Sequence, residues 1–201
     1  MNRKIFLFLS ERISNKVERN YFVRRHFLTE MICEVDRDDN FLGLREREEF
    51  YSGNYIHRAS QLILLNPENK MLIQRRAPWK KWYPNRYTYS VSGTVGNETY
   101  EACMEREMPE EIGILVPFHK LFRIPCLIEK GGAFHTVFLG MCPAETVKLI
   151  RPDIEEMISV NWIELDELYS AIEAAPENFT PSLRAGITKI FKEGYDKHVF
   201  E

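Results

Sequence analysis

The stretch from Gly93 to Ile114, GTVGNETYEACMEREMPEEIGI, constrains this chain more than any other. It places Glu107, Glu110 and Glu111 within five residues, directly after Arg106. Read as a helix, TYEACMEREMPEEIG sets carboxylates at i, i+3 and i+4 on one face. Met104, Met108 and Ile112 repeat every four residues beside them and form an apolar side. Carboxylates so close repel one another, and a bare helix gains nothing from them. A divalent cation converts the repulsion into binding, because hard ions such as Mg2+ or Mn2+ take several carboxylate oxygens. Asn97, Glu98 and Thr99 offer capping chemistry for the start, and Gly113 ends the helix as a left-handed glycine does.

From Glu98 onward the fixed positions are Glu98, seven residues, Arg106, Glu107, Met108, Pro109, Glu110, Glu111, Ile112, Gly113 and Ile114. This pattern resembles the Nudix box, G-x5-E-x7-R-E-U-x-E-E-x-G-U with U a bulky aliphatic residue. The resemblance implies that Glu107, Glu110 and Glu111 hold metal, that Arg106 orients them through a salt bridge, and that Glu98 and Gly113 are structural. Two positions depart from the pattern. Its leading glycine falls on Ser92, with Gly93 one residue too close, so the loop is one residue short. Pro109 lies in the middle of the helix, where it removes a hydrogen bond to Glu105 and is expected to bend the helix between Glu107 and Glu110.

A chain of 201 residues suffices for one domain with a sizeable core. Its net charge of −3 leaves no electrostatic footprint for nucleic acid or membrane. The opening MNRKIFLFLSER has too short an apolar run for a signal segment, and no stretch approaches a transmembrane helix. Cys33, Cys103, Cys126 and Cys142 are scattered, with no C-x-x-C pair, and are read as reduced thiols of a cytoplasmic protein. The oligomeric state stays open, a homodimer included.

In chain order, residues 1–27 are read as an N-terminal extension, basic and aromatic, with Ile5, Phe8, Leu9 and Ile13 at helical spacing. Residues 31–50 read as strand, turn and strand about Asp36 to Asn40, and residues 55–76 as a hairpin about Asn66 to Asn69. After the helix come two strands about Lys130-Gly131-Gly132, a short strand ISVNWIEL, a helix stopped by Pro176, and a last helix with Thr180 as N-cap and Pro181 in its first turn. This alternation indicates the α/β class: a Nudix-type α/β/α sandwich with a mixed sheet, spanning residues 28–201.

The run RRAPWKKWYPNRYTYSVSG, directly before the acidic helix, gathers Arg75, Arg76, Lys80, Lys81 and Arg86 among Trp79, Trp82, Tyr83, Tyr87 and Tyr89. Such a cluster suits an anionic diphosphate, arginine offering forked contacts and lysine a point charge. The lead-in TEMICEVDRDDNFLGLREREEFYSGNYIHRA, with His57, Arg58 and Ala59, resembles the isopentenyl-diphosphate isomerase-like branch of Nudix proteins. The isomerases carry a cysteine and a metal-binding histidine in a segment like S-V-C-G-H, and this chain has Ser92 and Thr94 there. A hydroxyl is a far weaker proton donor or nucleophile than a thiol, and threonine a poor substitute for imidazole.

The reading that results is a metal-dependent hydrolase cleaving a diphosphate linkage in a nucleoside- or other organic-diphosphate substrate with Mg2+ or Mn2+. Glu110, Glu111 and Arg106 are the candidate catalytic residues, and Glu155 or Glu156 the candidate for a later acid joining the site. Arg75, Arg76, Lys80 and Lys81 are the candidates for neutralising the diphosphate. His57, His135 and Cys103 are read as packing residues. The alternatives are an isopentenyl-diphosphate isomerase-like enzyme and a non-catalytic Nudix-fold ligand-binding module.

Overall fold

The computed structural model of the chain describes residues 30–193, so the extension expected at residues 1–27 lies outside them. Its elements are β1 (Met31–Val35), β2 (Phe41–Glu46), α1 (Arg47–Phe50), β3 (Ile56–Leu65), β4 (Met71–Arg76), β5 (Tyr87–Thr88), β6 (Val91–Thr94) and α2 (Tyr100–Ile112). They continue as β7 (Phe118–Leu127), β8 (Gly132–Met141), α3 (Ala144–Val147), β9 (Met157–Ile163), α4 (Leu165–Ala174), a 3-10 turn Pro176–Asn178, and α5 (Pro181–Lys192).

All the described strands join one mixed sheet organised around β3. Along one edge β3 runs parallel to β8, from Ile56↔Gly132 to Leu65↔Met141. Along the other it meets β1, then β6, then β4, all antiparallel. Its run IHRASQLILL is apolar on both sides because both faces are covered. Leu62 and Leu64 turn to α2 and pack with Met104, Met108 and Ile112, so the apolar side of the acidic helix is its docking face. Ile63 and Leu65 turn the other way, against Leu168 of α4 and Leu183 and Ile187 of α5. Helices on both faces make the α/β/α sandwich.

The sheet forks where β3 leaves β4. The two strands share the pair Leu65↔Met71 and then diverge. Ser90 fills the crotch: its Oγ donates to the Leu72 carbonyl at 2.6 Å and accepts from the Leu64 N–H at 2.8 Å.

Local chemistry sets the helix ends. Thr99 accepts from the Ala102 N–H at 3.1 Å, and Gly113, at φ 74°, terminates α2. Pro109 is exposed and α2 runs continuously across it. Thr180 caps α5 by accepting from Leu183 N–H at 3.4 Å. One expectation differs: the second strand of the 31–50 segment stops at Glu46, and Arg47–Phe50 turn into a short helix. Glu49 accepts from the Glu46 N–H at 3.3 Å, a first-turn cap that outcompetes continued pairing. No helix among the described residues is long and apolar enough to cross a membrane.

Candidate active site

A cleft of about 1120 Å³ opens at the fork. The side chains of α2 that do not pack on the sheet line one end of it. Arg106 is the hub: its Nη2 donates to Glu98 Oε1 at 2.7 Å, and its Nη1 donates to Glu107 at 2.6 Å and to Glu110 at 3.1 Å. Glu111 turns inward instead, accepting from Gln74 Nε2 at 2.8 Å and from the Ser92 N–H at 3.3 Å. Gly93 is required here, because a Cβ on it would lie 2.3 Å from Glu107 Cγ and 2.7 Å from Cys103 Sγ. The glycine that stands one position late in the box pattern is thus the one that lets β6 touch the acidic helix.

These carboxylates sit where charge is expensive. Burial pushes Glu107 up to about 7, and Glu110 and Glu156 add to that while Arg106 opposes it. Burial also holds Glu111 well above the usual carboxylate range; the charges of Glu107 and Glu156 reinforce the effect, and the hydrogen bonds from Gln74 and Ser92 oppose it. Burial lowers the Arg106 guanidinium, yet Glu107 and Glu98 outweigh it and raise the group overall. Among the described residues no three acidic, histidine or cysteine side chains are already gathered as a finished metal cage. The donor set nevertheless fits a hard divalent ion. It consists of carboxylate oxygens at one end of an open cleft, and their mutual repulsion is what such an ion relieves.

The sequence candidates distribute unevenly. Glu156 lines the cleft and forms a salt bridge with Lys80, whereas the nearby Glu155 presents its carbonyl to Trp79 Nε1 at 2.9 Å. Of the four basic candidates, Arg76 and Lys80 line the cleft. Arg75 and Lys81 do not. Arg75 donates to the Asn85 carbonyl at 3.1 Å and lies over the Tyr87 ring, while Lys81 pairs with Glu48 at 3.0 Å over the Tyr51 ring. Burial pulls the Arg76 guanidinium down, offset by the charges of Glu111 and Glu156. It donates through Nε to the Trp82 carbonyl at 3.0 Å and makes no ion pair among the described residues.

Several lining residues went unread in the sequence. Arg47 of α1 lines the cleft and is held by Glu30 through two contacts of 2.6 Å. On β3 the alternate residues His57, Ala59 and Gln61 all face the cleft, a period-two signal that was legible. Gln61 donates to His135 Nδ1 at 3.1 Å, which assigns the ring proton to Nε2, and accepts from Ser92 Oγ at 2.5 Å. His57 stacks on Trp82 with centroids 5.4 Å apart and planes 6° from parallel, and Phe50 meets it edge-on. Burial, with His135 and Arg47 nearby, lowers His57 to about 3, and burial lowers His135 to about 4, so both rings are neutral.

Known proteins resemble this chain in sequence and in fold. The model of the NUDIX domain family matches residues 56–183. A prenyl-diphosphate phosphatase of Methanosarcina mazei is 65% identical over 170 residues, covering 85% of this chain and all of that protein. An isopentenyl-diphosphate Delta-isomerase of Klebsiella pneumoniae is 28% identical, covering 76% of this chain and 85% of the isomerase. Among solved structures, a protein of Deinococcus radiodurans superposes with a TM-score of 0.69 at 23% identity, covering 81% of this chain and all of its own. The MutT protein of Methanosarcina mazei does so with a TM-score of 0.59 at 17% identity, covering 70% of this chain and 96% of its own.

Proposed function

This chain belongs to the NUDIX domain family and is a diphosphate hydrolase, and we propose that its substrates are prenyl diphosphates, cleaved in the cytoplasm with Mg2+ or Mn2+. The observation that carries the reading is the polarity of the cleft. Glu107, Glu110, Glu111 and Glu156 gather about α2 with Arg76 and Lys80, while the His57–Trp82 stack with Phe50 and Tyr51 gives the cleft an aromatic wall, bordered by the Arg47–Glu30 ion pair; acidic groups beside apolar surface suit a molecule with a diphosphate head and an apolar tail. The likeness to the Methanosarcina phosphatase supports the same substrate class.

Glu107, Glu110 and Glu111 would hold the ion, which supplies positive charge to the phosphate oxygens and makes a bound water more acidic. Arg106 positions Glu107 and Glu110 and ties α2 to Glu98. Gln74 and the Ser92 N–H fix Glu111. Arg76 and Lys80 face the same end and neutralise the head group, with Glu156 holding Lys80 in place. Isomerisation is not expected. Ser92, at the position of the isomerases' cysteine, gives its hydroxyl proton to Gln61 rather than to the cleft.

Hydrolysis of geranyl diphosphate, isopentenyl diphosphate and ADP, read as inorganic phosphate, and of a nucleotide sugar, read as nucleoside monophosphate, each with Mg2+ and with Mn2+, tests the proposal. Metal-dependent release from a prenyl diphosphate and none from the nucleotides is expected. Turnover of nucleotides alone would overturn the substrate class, and interconversion of isopentenyl and dimethylallyl diphosphate would overturn the assignment of the reaction.

A further inference from the structure

Away from α2 the cleft has a floor whose composition changes from strand to strand. β6, β3, β8 and β7 are consecutive neighbours in the sheet. Register pairs Ser92 with Gln61, Ala59 with His135, and Ala133 with both His57 and Cys126. Directly paired residues share a face, and all of these line the cleft. Starting beside Glu111, the floor therefore runs from Ser92 and Gln61, across Ala59 and His135, to Ala133 and Cys126.

The polar groups near its start are satisfied by one another, Ser92 with Gln61 and Gln61 with His135. Beyond them the floor offers methyl groups, a thiol and an uncharged ring. The wall is the His57–Trp82 stack, with Phe50 edge-on to His57 and Tyr51 edge-on to Trp82 at 4.8 Å. The buried Nδ1 of His57 makes no hydrogen bond. No cation or carboxylate projects from this floor.

Its length is fixed by sheet geometry. Three gaps of about 4.8 Å separate β6 from β7, so the floor extends about 14 Å away from the carboxylates. One isoprene unit contributes four main-chain carbon–carbon bonds of about 1.5 Å, at most about 6 Å laid straight. The apolar part, from Ala59 on β3 to Cys126 on β7, spans two of these gaps, about 10 Å, so a five-carbon tail would leave over a third of it bare. Ala59 and Ala133 are the small residues between the two imidazoles, 5% and 4% exposed. Any larger side chain at either position would stand in the path.

We infer that the cleft is built for prenyl chains of two or more isoprene units, and that Ala59 and Ala133 are the residues that admit the second unit. This rests on the prenyl-diphosphate reading and deepens it.

The test is kcat/KM for dimethylallyl, geranyl and farnesyl diphosphate, measured on the full chain and on Ala133→Leu and Cys126→Phe. For the wild type the geranyl and farnesyl values should exceed the dimethylallyl value at least about tenfold, since a single buried methylene is worth about that much in discrimination. In each variant the ratio of farnesyl to dimethylallyl values should fall at least about tenfold. A wild type indifferent to length overturns the inference while leaving the prenyl reading intact, and so does a folded variant that keeps the wild-type ratio. Hydrolysis of no prenyl diphosphate of any length would instead remove the reading beneath it. Should Ala133→Leu fail to give a cooperative melt, Cys126→Phe, at a half-buried position, decides the matter.

Discussion

Two of the charge clusters on this sheet differ in how far their buried carboxylates are matched by cations. At the first, Asp39, whose side chain is 4% exposed, accepts from Arg58 Nε at 2.7 Å and also pairs with Arg123, with the Tyr100 hydroxyl at 3.4 Å. One carboxylate meets two guanidinium groups, and Arg123 is half exposed, so water carries the surplus positive charge. At the second, Glu98, Glu107 and Glu110 share Arg106, Glu156 takes Lys80, and Glu111 has only amide donors. There the surplus is negative and largely buried. A cluster whose buried carboxylate is fully matched by cations serves the fold; one that holds more buried carboxylates than cations is where a ligand's positive charge would be stabilising.

The sharpest way to break this contrast is to neutralise the open cluster. Glu110→Gln and Glu111→Gln should each lower metal-dependent hydrolysis by at least about a hundredfold, because even the residues behind a metal ligand are worth tens-fold. The stability signs should run the other way. A carboxylate whose folded value is raised contributes stability below that value and loses it as pH rises through it. In chelator-treated wild type the melting temperature should therefore fall as pH rises through about 7, where Glu107 ionises. Glu111→Gln should melt higher than wild type at neutral pH without metal. If it instead melts several degrees lower and keeps full activity, the cluster is closed and the site lies elsewhere.

Asp39→Asn probes the matched cluster. Asparagine tolerates the left-handed backbone at this position, φ 65°, so the substitution removes charge alone. Leaving Arg58 and Arg123 facing an amide should cost about 3 kcal/mol in denaturant unfolding. Well below the melting transition, kcat/KM should stay within about twofold of wild type, since Asp39 does not line the cleft. Saturating Mn2+ should raise the melting temperature of Asp39→Asn by the same increment as wild type, and that of Glu111→Gln by far less. Equal increments in all three proteins would mean that the ion binds outside the glutamate cluster.

The same contrast explains what could be read from the chain. The open cluster was legible because helix spacing puts Arg106, Glu107, Glu110 and Glu111 close in sequence as well as in space. The fold was legible for a related reason: turn residues at 36–40, 66–69 and 130–132 separate apolar runs, and the hairpins follow. The residues brought in by the sheet were not. His135 reaches the cleft through β8 and Gln74 reaches Glu111 through β4, and no local pattern says that β3 and β4 part company after one pair. Arg47 was hidden by a capping interaction that ended a strand four residues before the expected point.

The smallest effect tests a rule that the sequence did offer. Arg75 and Arg76 are adjacent on β4, and both were candidates for the diphosphate. Successive side chains of a strand point to opposite faces, and β4 obeys this: Met71 and Ile73 pack toward α4 and α5, and Leu72 toward α2. Arg76 continues the even face and enters the cleft; Arg75 continues the odd face, where Asn85 and Tyr87 hold it. Removing a charge-assisted contact to the head group is worth about 2 kcal/mol, so Arg76→Ala should lower kcat/KM by roughly thirtyfold. Arg75→Ala should change it by less than about twofold, and steady-state kinetics on geranyl diphosphate measures both. Equal losses at the two positions would mean that the diphosphate is bound by the loop after β4 as a whole, with strand alternation playing no part in choosing its partner.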